Sequence, residues 1–140
     1  MNDRFFLDTN IFVYSLAKGP TAKKDQADLL IADAITSGKG MVSYQVVQEF
    51  FSVAFRRFTP PMSPFEAEQY LAMTFRPLLA LHSSYSLFGQ ALYLHRQYSL
   101  SWYDSLIVAA AKDGECGVLY SEDFQYQQKF EDLKVVNPFL

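Results

Sequence analysis

The sequence predicts an α/β domain with a central, mainly parallel sheet. Three observations carry this. Short apolar runs alternate along the chain with longer segments of helical periodicity, the pattern of strands joined by crossover helices. The chain has 140 residues, the size of one domain, so positions 1–140 are read as a single unit. Half of its residues are apolar and 16% are aromatic, enough to fill a core between a sheet and covering helices.

Taken in order, Arg4 to Leu7 is a short buried strand closed by Asp8. Asn10 to Ala17 is a helix with Asp8, Thr9 or Asn10 as its cap, and Gly19-Pro20 breaks it. From Thr21 to Thr36, the residues Ala27, Leu30, Ile31, Ala34 and Ile35 recur at helical spacing, and Gly38 ends the run. Met41 to Ser43 is the second strand. Tyr44 to Arg57 is a helix with Val46, Val47, Phe50, Phe51 and Ala54 on one face, closed by Thr59-Pro60-Pro61. Ser63 caps the next helix, with Pro64 in its first turn and an end near Phe75. Leu78 to Leu81 is a strand. Ser84 to Tyr98 and Ser101 to Lys112 are helices, the latter ended by Gly114. Val118 to Tyr120 and Lys134 to Val136 are the last strands. No internal repeat, low-complexity tract or long linker interrupts the series.

Bulk properties narrow the function. The formal charge is −3, whereas proteins that grip nucleic acid by net charge are usually basic. A nucleic-acid substrate would need a local patch or bound cations. One cysteine, Cys116, excludes a disulfide framework within the chain, and with two histidines it cannot build a Cys/His zinc pattern. That usage suits a reducing compartment. Met1 to Leu7 lacks a long apolar run or cleavage-site pattern, and no apolar stretch approaches the roughly 20 residues that span a bilayer. The expectation is a soluble, cytoplasmic protein.

Sites in open parallel sheets form beyond the carboxyl ends of the strands. Asp8 lies just past the first strand, and Ser121 and Asp123 lie just past Val118–Tyr120. Four acids stand beside apolar segments: Asp8 in Phe5-Phe6-Leu7-Asp8-Thr9-Asn10, Glu49 in Val46-Val47-Gln48-Glu49-Phe50-Phe51, Asp104 in Trp102-Tyr103-Asp104-Ser105-Leu106-Ile107, and Asp123 in Leu119-Tyr120-Ser121-Glu122-Asp123-Phe124. If they converge, two unit charges about 4 Å apart repel by roughly 4 kcal/mol at an effective dielectric of about 20. Either their pKa values rise or cations bind. An all-oxygen set suits hard ions such as Mg²⁺ or Mn²⁺. A pair of such ions can activate water and hold a scissile phosphate.

Each acid also has a plainer reading. Asp8 serves as a helix cap. Ser101-x-x-Asp104 fits a helix N-terminus with a carboxylate in the first turn, which does not exclude ligation. Glu49 sits at the border of its helix's apolar face, where a glutamate is usually just solvated. Asp123 fits an ordinary turn, and Glu122 competes with it.

At these residues the sequence resembles the PIN-domain family, in particular the VapC-type toxins of bacterial toxin–antitoxin pairs. Phe6-Leu7-Asp8-Thr9-Asn10 is similar to the family's opening strand with its first acid, and Ser43-Tyr44-Gln45-Val46-Val47-Gln48-Glu49-Phe50 to the segment with the second. The run from Leu100 to Ala111 resembles the helix with the third, and Leu119-Tyr120-Ser121-Glu122-Asp123 the fourth. The ending Val135-Val136-Asn137-Pro138-Phe139 resembles one subgroup. Asp-Thr-Asn alone is a weak motif; the ordered set spans nearly the whole chain. The resemblance implies an α/β/α sandwich, Mg²⁺ or Mn²⁺ dependence, endonucleolytic cleavage of RNA, homodimers and a cognate antitoxin. It assigns metal ligation, or the orientation of a metal-bound water, to Asp8, Glu49, Asp104 and Asp123. Thr9, Asn10 and Ser121 become polar neighbours of the ligands or phosphate contacts. The fourth position varies within the family, and some members hold a single metal.

Other residues carry weaker signals. Arg56, Arg57 and Lys39 are candidate RNA-backbone contacts whose plainer reading is a solvated helix end. Lys23-Lys24 reads as surface. Tyr44, Phe50, Phe51, Phe55 and Phe58 offer either an exposed patch for self-association or an antitoxin helix, or core filling. Tyr14, Tyr103 and Tyr126 are candidates for stacking on bases. His82 and His95 have no partner motif, and Cys116 reads as structural. Three rival functions remain: a phosphatase with Asp8 as nucleophile, disfavoured because Asn10 stands where a second Asp is wanted; an RNA-processing nuclease without antitoxin; and a non-catalytic domain that binds RNA or a partner.

Overall fold

A computed structural model describes residues 3–19, 21–125 and 127–140. The break expected at Gly19-Pro20 involves Pro20, which lies outside the described residues. The elements run β1 (Phe5–Leu7), α1 (Thr9–Ser15), α2 (Ala22–Ser37), β2 (Gly40–Ser43), α3 (Tyr44–Arg56) and α4 (Pro64–Tyr70). They continue with β3 (Leu79–Leu81), α5 (Tyr85–Tyr98), α6 (Trp102–Asp113), β4 (Val118–Tyr120), β5 (Lys129–Phe130) and β6 (Leu133–Val136). The strands form one sheet in the order β3-β2-β1-β4-β6-β5, parallel except for β5. The expected α/β class and mainly parallel sheet are therefore present.

Local chemistry fixes most boundaries. Asp8 caps α1, Thr21 caps α2 through the Lys24 amide, and Gly38 ends α2 in the left-handed region at φ 71°. Ser63 and Glu66 close a reciprocal capping box on α4, with Pro64 in its first turn. Ser84 and Ser101 cap α5 and α6. The structure departs from expectation in two places. The predicted helix from Ser63 to Phe75 widens after Tyr70 into a π-turn over Leu71–Phe75, where the Arg76 amide reaches back to Leu71 O at 2.9 Å. The two-residue antiparallel strand β5 is too short to leave a periodic signal.

Five parallel strands place their carboxyl ends on one edge. The chain builds β1, β2 and β3 toward one side and then adds β4 on the other side of β1. The topological switch therefore falls between β1 and β4, where ligands bind in open α/β sheets. The Asp8 amide donates to Tyr120 O at 3.1 Å across that gap.

Phe6, Leu7, Phe12, Phe50, Phe75 and Leu119 are fully buried between the layers. Phe50 stacks on Tyr70 at 4.8 Å and meets Phe51, Phe58 and Phe75 edge-on, so the aromatic residues of α3 mostly fill core; Phe55 is the exposed member. Cys116 is buried and its thiol is pushed up to about 12 by that burial, which keeps it protonated and inert.

Helix α2 crosses β2 at Gly40 with no room for a side chain. A Cβ there would lie 2.1 Å from Ala34 Cβ and 2.9 Å from the Phe5 ring. Gly40→Ala is expected to cost about 1–3 kcal/mol by overpacking, read from the urea midpoint at unchanged slope. An unchanged midpoint would refute this packing of α2 on β2.

Candidate functional site

Asp8 is the first residue beyond β1, and one carboxylate serves two roles. Its Oδ1 accepts from the Thr9 amide at 2.7 Å and caps α1, while its Oδ2 accepts from Ser121 Oγ at 2.8 Å. Capping and site membership thus coexist. Asp8 is 6% exposed. That burial raises its carboxyl to about 7; the bonds from Ser121 and Thr9 oppose the rise, and the charges of Asp123 and Glu49 add to it. Ser121, just past β4, is itself buried, and its Oγ also accepts from the Asp123 amide at 3.1 Å. One hydroxyl therefore joins the Asp8 carboxylate to the loop carrying Asp123.

Glu49 lies on α3, half-buried rather than fully solvated. Gln45, one turn earlier and buried, donates to Glu49 Oε1 at 2.7 Å and to Tyr103 O at 3.2 Å. Burial raises the Glu49 carboxyl, Gln45 opposes it, and the charges of Asp104 and Asp123 raise it further. Asp104 occupies the first turn of α6. Its amide donates to Ser101 Oγ at 3.1 Å, but its carboxylate returns no bond to the cap, so the reciprocal box is absent. Asp123 is raised by partial burial first and then by Glu122 and Asp104. The four acids of the sequence pattern thus share one edge, and each is linked electrostatically to another of the four.

Asn10, on α1, reaches Glu122 Oε1 and Asp123 Oδ2, each at 3.5 Å. Thr9 Oγ1 is buried with no hydrogen-bond partner among the described residues. An unsatisfied buried hydroxyl of this kind costs about 1–3 kcal/mol. Among the described residues, no three Asp, Glu, His or Cys side chains are grouped tightly enough to hold a metal ion. The arrangement is a set of oxygen donors around an edge, not a closed cage.

The cations mostly follow the plainer reading of solvated surface groups. Lys39 pairs with Asp3 at the opposite edge of the sheet, and Arg56 bonds Ser52 on its own helix. Lys24 pairs with Asp28. Lys23 is exposed, as its reading as surface expects, and from there it also meets Glu122 at 3.3 Å beside the acids. Sequence reasoning gave no role to Gln45, although its i−4 spacing from Glu49 offered the signal. Tyr103 is exposed, and Tyr14 is engaged with Glu122. Tyr126 lies outside the described residues. His95 Nδ1 donates to Leu100 O at 2.6 Å, away from the acids.

A cavity of about 850 Å³ is not centred on the carboxylates. It is an apolar groove between the end of α1 and the α4 region, including Leu16, Phe65, Tyr70 and Met73. Tyr14 belongs to both this groove and the site edge. No helix among the described residues is long and apolar enough to cross a membrane.

The PIN domain family model matches residues 5–131. Comparison with curated proteins gives no match. Among solved structures, a toxin–antitoxin complex from Klebsiella pneumoniae is similar at TM-score 0.67 and 19% identity, covering 95% of this chain and 96% of that one. The Mycobacterium tuberculosis toxin VapC20, described as cleaving the sarcin–ricin loop, is similar at TM-score 0.64 and 20% identity, with 86% and 91% covered. VapBC2 from Rickettsia felis, solved on a DNA fragment from its promoter, gives TM-score 0.59 and 17% identity, with 94% and 96% covered. At these identities the likeness is one of fold.

Proposed function

On the premise that this chain belongs to the PIN domain family, we propose that it is a metal-dependent endoribonuclease and the toxin of a toxin–antitoxin pair. The observation that supports this most is the gathering of Asp8, Glu49, Asp104 and Asp123 at the carboxyl edge of the sheet, three of them with raised carboxyls. Carboxyls raised by burial and by one another at a topological switch mark a concentration of negative charge that a cation would neutralise.

The donors fit a hard divalent ion in chemistry: all are oxygens, they carry surplus negative charge, and an orphaned Thr9 hydroxyl adjoins Asp8. Asp8, Glu49, Asp104 and Asp123 would hold Mg²⁺ or Mn²⁺, with some side chains turning inward to close on it. Bound there, the ion supplies an activated water and neutralises charge at the scissile phosphate. The chain's own residues prepare the site. Ser121 and the Thr9 amide fix the orientation of Asp8, and Gln45 fixes that of Glu49. Asn10 donates across the gap to Glu122 and Asp123. The net charge of −3 makes neutralisation at the site a condition for approach of a polyanion.

Antitoxin partnership rests on the toxin–antitoxin complexes among the structural neighbours. The apolar groove with exposed Leu16, Phe65 and Met73 offers such a partner a surface.

The test is incubation of antitoxin-free protein with single-stranded and structured RNAs in Mn²⁺ or in EDTA. Cleavage in Mn²⁺ alone is expected. Equal cleavage in EDTA would refute metal dependence, and intact RNA throughout with Mn²⁺ bound would favour a binding domain. Ser121→Ala, which leaves Asp8 Oδ2 without its donor, is expected to reduce cleavage by about 10–100-fold. It also removes a bond that lowers the Asp8 carboxyl, so the acidic limb of the rate profile moves to higher pH. A rate and profile equal to wild type would remove Ser121 from the site.

A further inference from the structure

We propose that Glu122 is the anchor of the loop after β4, and that Tyr14 and Lys23 hold it so that its neighbour Asp123 faces the carboxylate cluster. This rests on the metal-dependent reading above and assigns positioning roles within that site.

The two adjacent acids have opposite surroundings. Both Glu122 oxygens are occupied by the protein. Oε1 accepts from the Tyr14 hydroxyl in a short hydrogen bond and from Asn10 Nδ2 at 3.5 Å, and Oε2 pairs with Lys23 Nζ at 3.3 Å. The Glu122 side chain is 19% exposed. Asp123 is the exposed member of the pair, held by Asn10 Nδ2 at 3.5 Å and by its amide on Ser121 Oγ. Asp123 is also the one whose charge acts on Asp8 and Glu49; Glu122 acts on Asp123. Asp123 is thus the acid coupled electrostatically to the cluster, and Glu122 is the one whose two oxygens the protein itself partners.

The anchor is built from elements outside the cluster. Lys23 stands in the first turn of α2, and its Nζ lies 3.2 Å from Tyr14 Oη and 4.5 Å from the centre of the Tyr14 ring. Phe139, near the end of the chain, packs edge-on against Tyr14 at 5.0 Å and sits beneath the same ammonium at 5.5 Å. Residues 122–124 form a bend directly after Ser121, so holding the Glu122 side chain restrains the backbone from which Asp123 projects. Asn10 couples the two directly by touching both carboxylates. Groups that orient ligands typically change metal affinity or activity by about 10–100-fold when removed.

The test combines Mn²⁺ calorimetry on the whole chain with hydrogen exchange at the Asp123 amide in the metal-free protein. Tyr14→Phe and Lys23→Met are each expected to weaken Mn²⁺ binding by about tenfold and to speed exchange of the Asp123 amide, with Lys23→Arg restoring both. In an Asp123→Asn background the same substitutions leave Mn²⁺ affinity unchanged. Equal losses in both backgrounds would overturn the proposal, because Tyr14 and Lys23 would then act without Asp123. Unchanged amide exchange would also overturn it. So would a Glu122→Gln protein that loses Mn²⁺ binding while Asp123→Asn keeps it, since Glu122 would then be the ligand. Wild-type protein that neither binds Mn²⁺ nor cleaves RNA would sink the metal reading itself, a result distinguishable from all of these.

Discussion

Asp8→Asn is expected to lower RNA cleavage by at least about 10²-fold, the scale seen when one electrostatic group is removed from a preorganised site. The substitution keeps the shape of the side chain and an oxygen that can still cap α1 through the Thr9 amide. It removes the negative charge at the centre of the cluster and replaces the acceptor for Ser121 with a group of different polarity. The protein should therefore stay folded while losing activity, so circular dichroism and the urea midpoint must accompany the rate. A rate within a fewfold of wild type would mean that the cleaving site lies elsewhere.

The second large effect is on stability, and its direction follows from burial. The Asp8 carboxyl is raised from 3.8 to about 7 in the folded chain, so the native state holds that proton more tightly than the unfolded state. The stability this contributes is fully present below about pH 4 and is lost as pH rises through about 7. Three pKa units correspond to about 4 kcal/mol. Glu49 and Asp123 shift the same way. Asp28, bonded to Ser15 and paired with Lys24, shifts the opposite way and contributes stability that is lost in acid. In EDTA, the wild-type chain should lose stability between about pH 4 and about pH 7, and Asp8→Asn should flatten most of that slope. Mn²⁺ should restore stability at pH 8, because binding draws on the deprotonated acids. Parallel slopes for wild type and Asp8→Asn would refute the burial argument.

The fold was legible wherever local chemistry decides it. Thr21, Ser63 with Glu66, Ser84 and Ser101 mark helix starts by bonds to atoms a few residues away, and Gly38 ends α2 in the left-handed region. The alternation of apolar runs gave the parallel sheet, and the sheet placed Asp8 and Asp123 on one edge although 115 positions separate them. Two features escaped. The π-turn at Leu71–Phe75 continues a helical pattern with altered bonding, and strand β5 has two residues and draws its pairing from β6.

The candidate site was legible as a set of acids but not as a network. Capping appeared to compete with site membership at Asp8; the structure puts both on one carboxylate, because its two oxygens face different partners. At Asp104 the capping pattern was present in sequence, yet the carboxylate makes no cap bond. Glu122 competes with Asp123 in the sequence because the contacts that distinguish them come from Tyr14 and Lys23, about 100 positions earlier. Contacts of that range leave no spacing to read. Lys23 is on the surface as its sequence context expects, but its pairing with Glu122 is of that long-range kind.

The most direct measurement is an anomalous difference map from crystals of this chain grown with Mn²⁺. The account predicts a peak bonded to Asp8 and to at least two of Glu49, Asp104 and Asp123, with those side chains turned inward from their present positions. A peak held by other residues, or none at the carboxyl edge of β1 and β4, would contradict it.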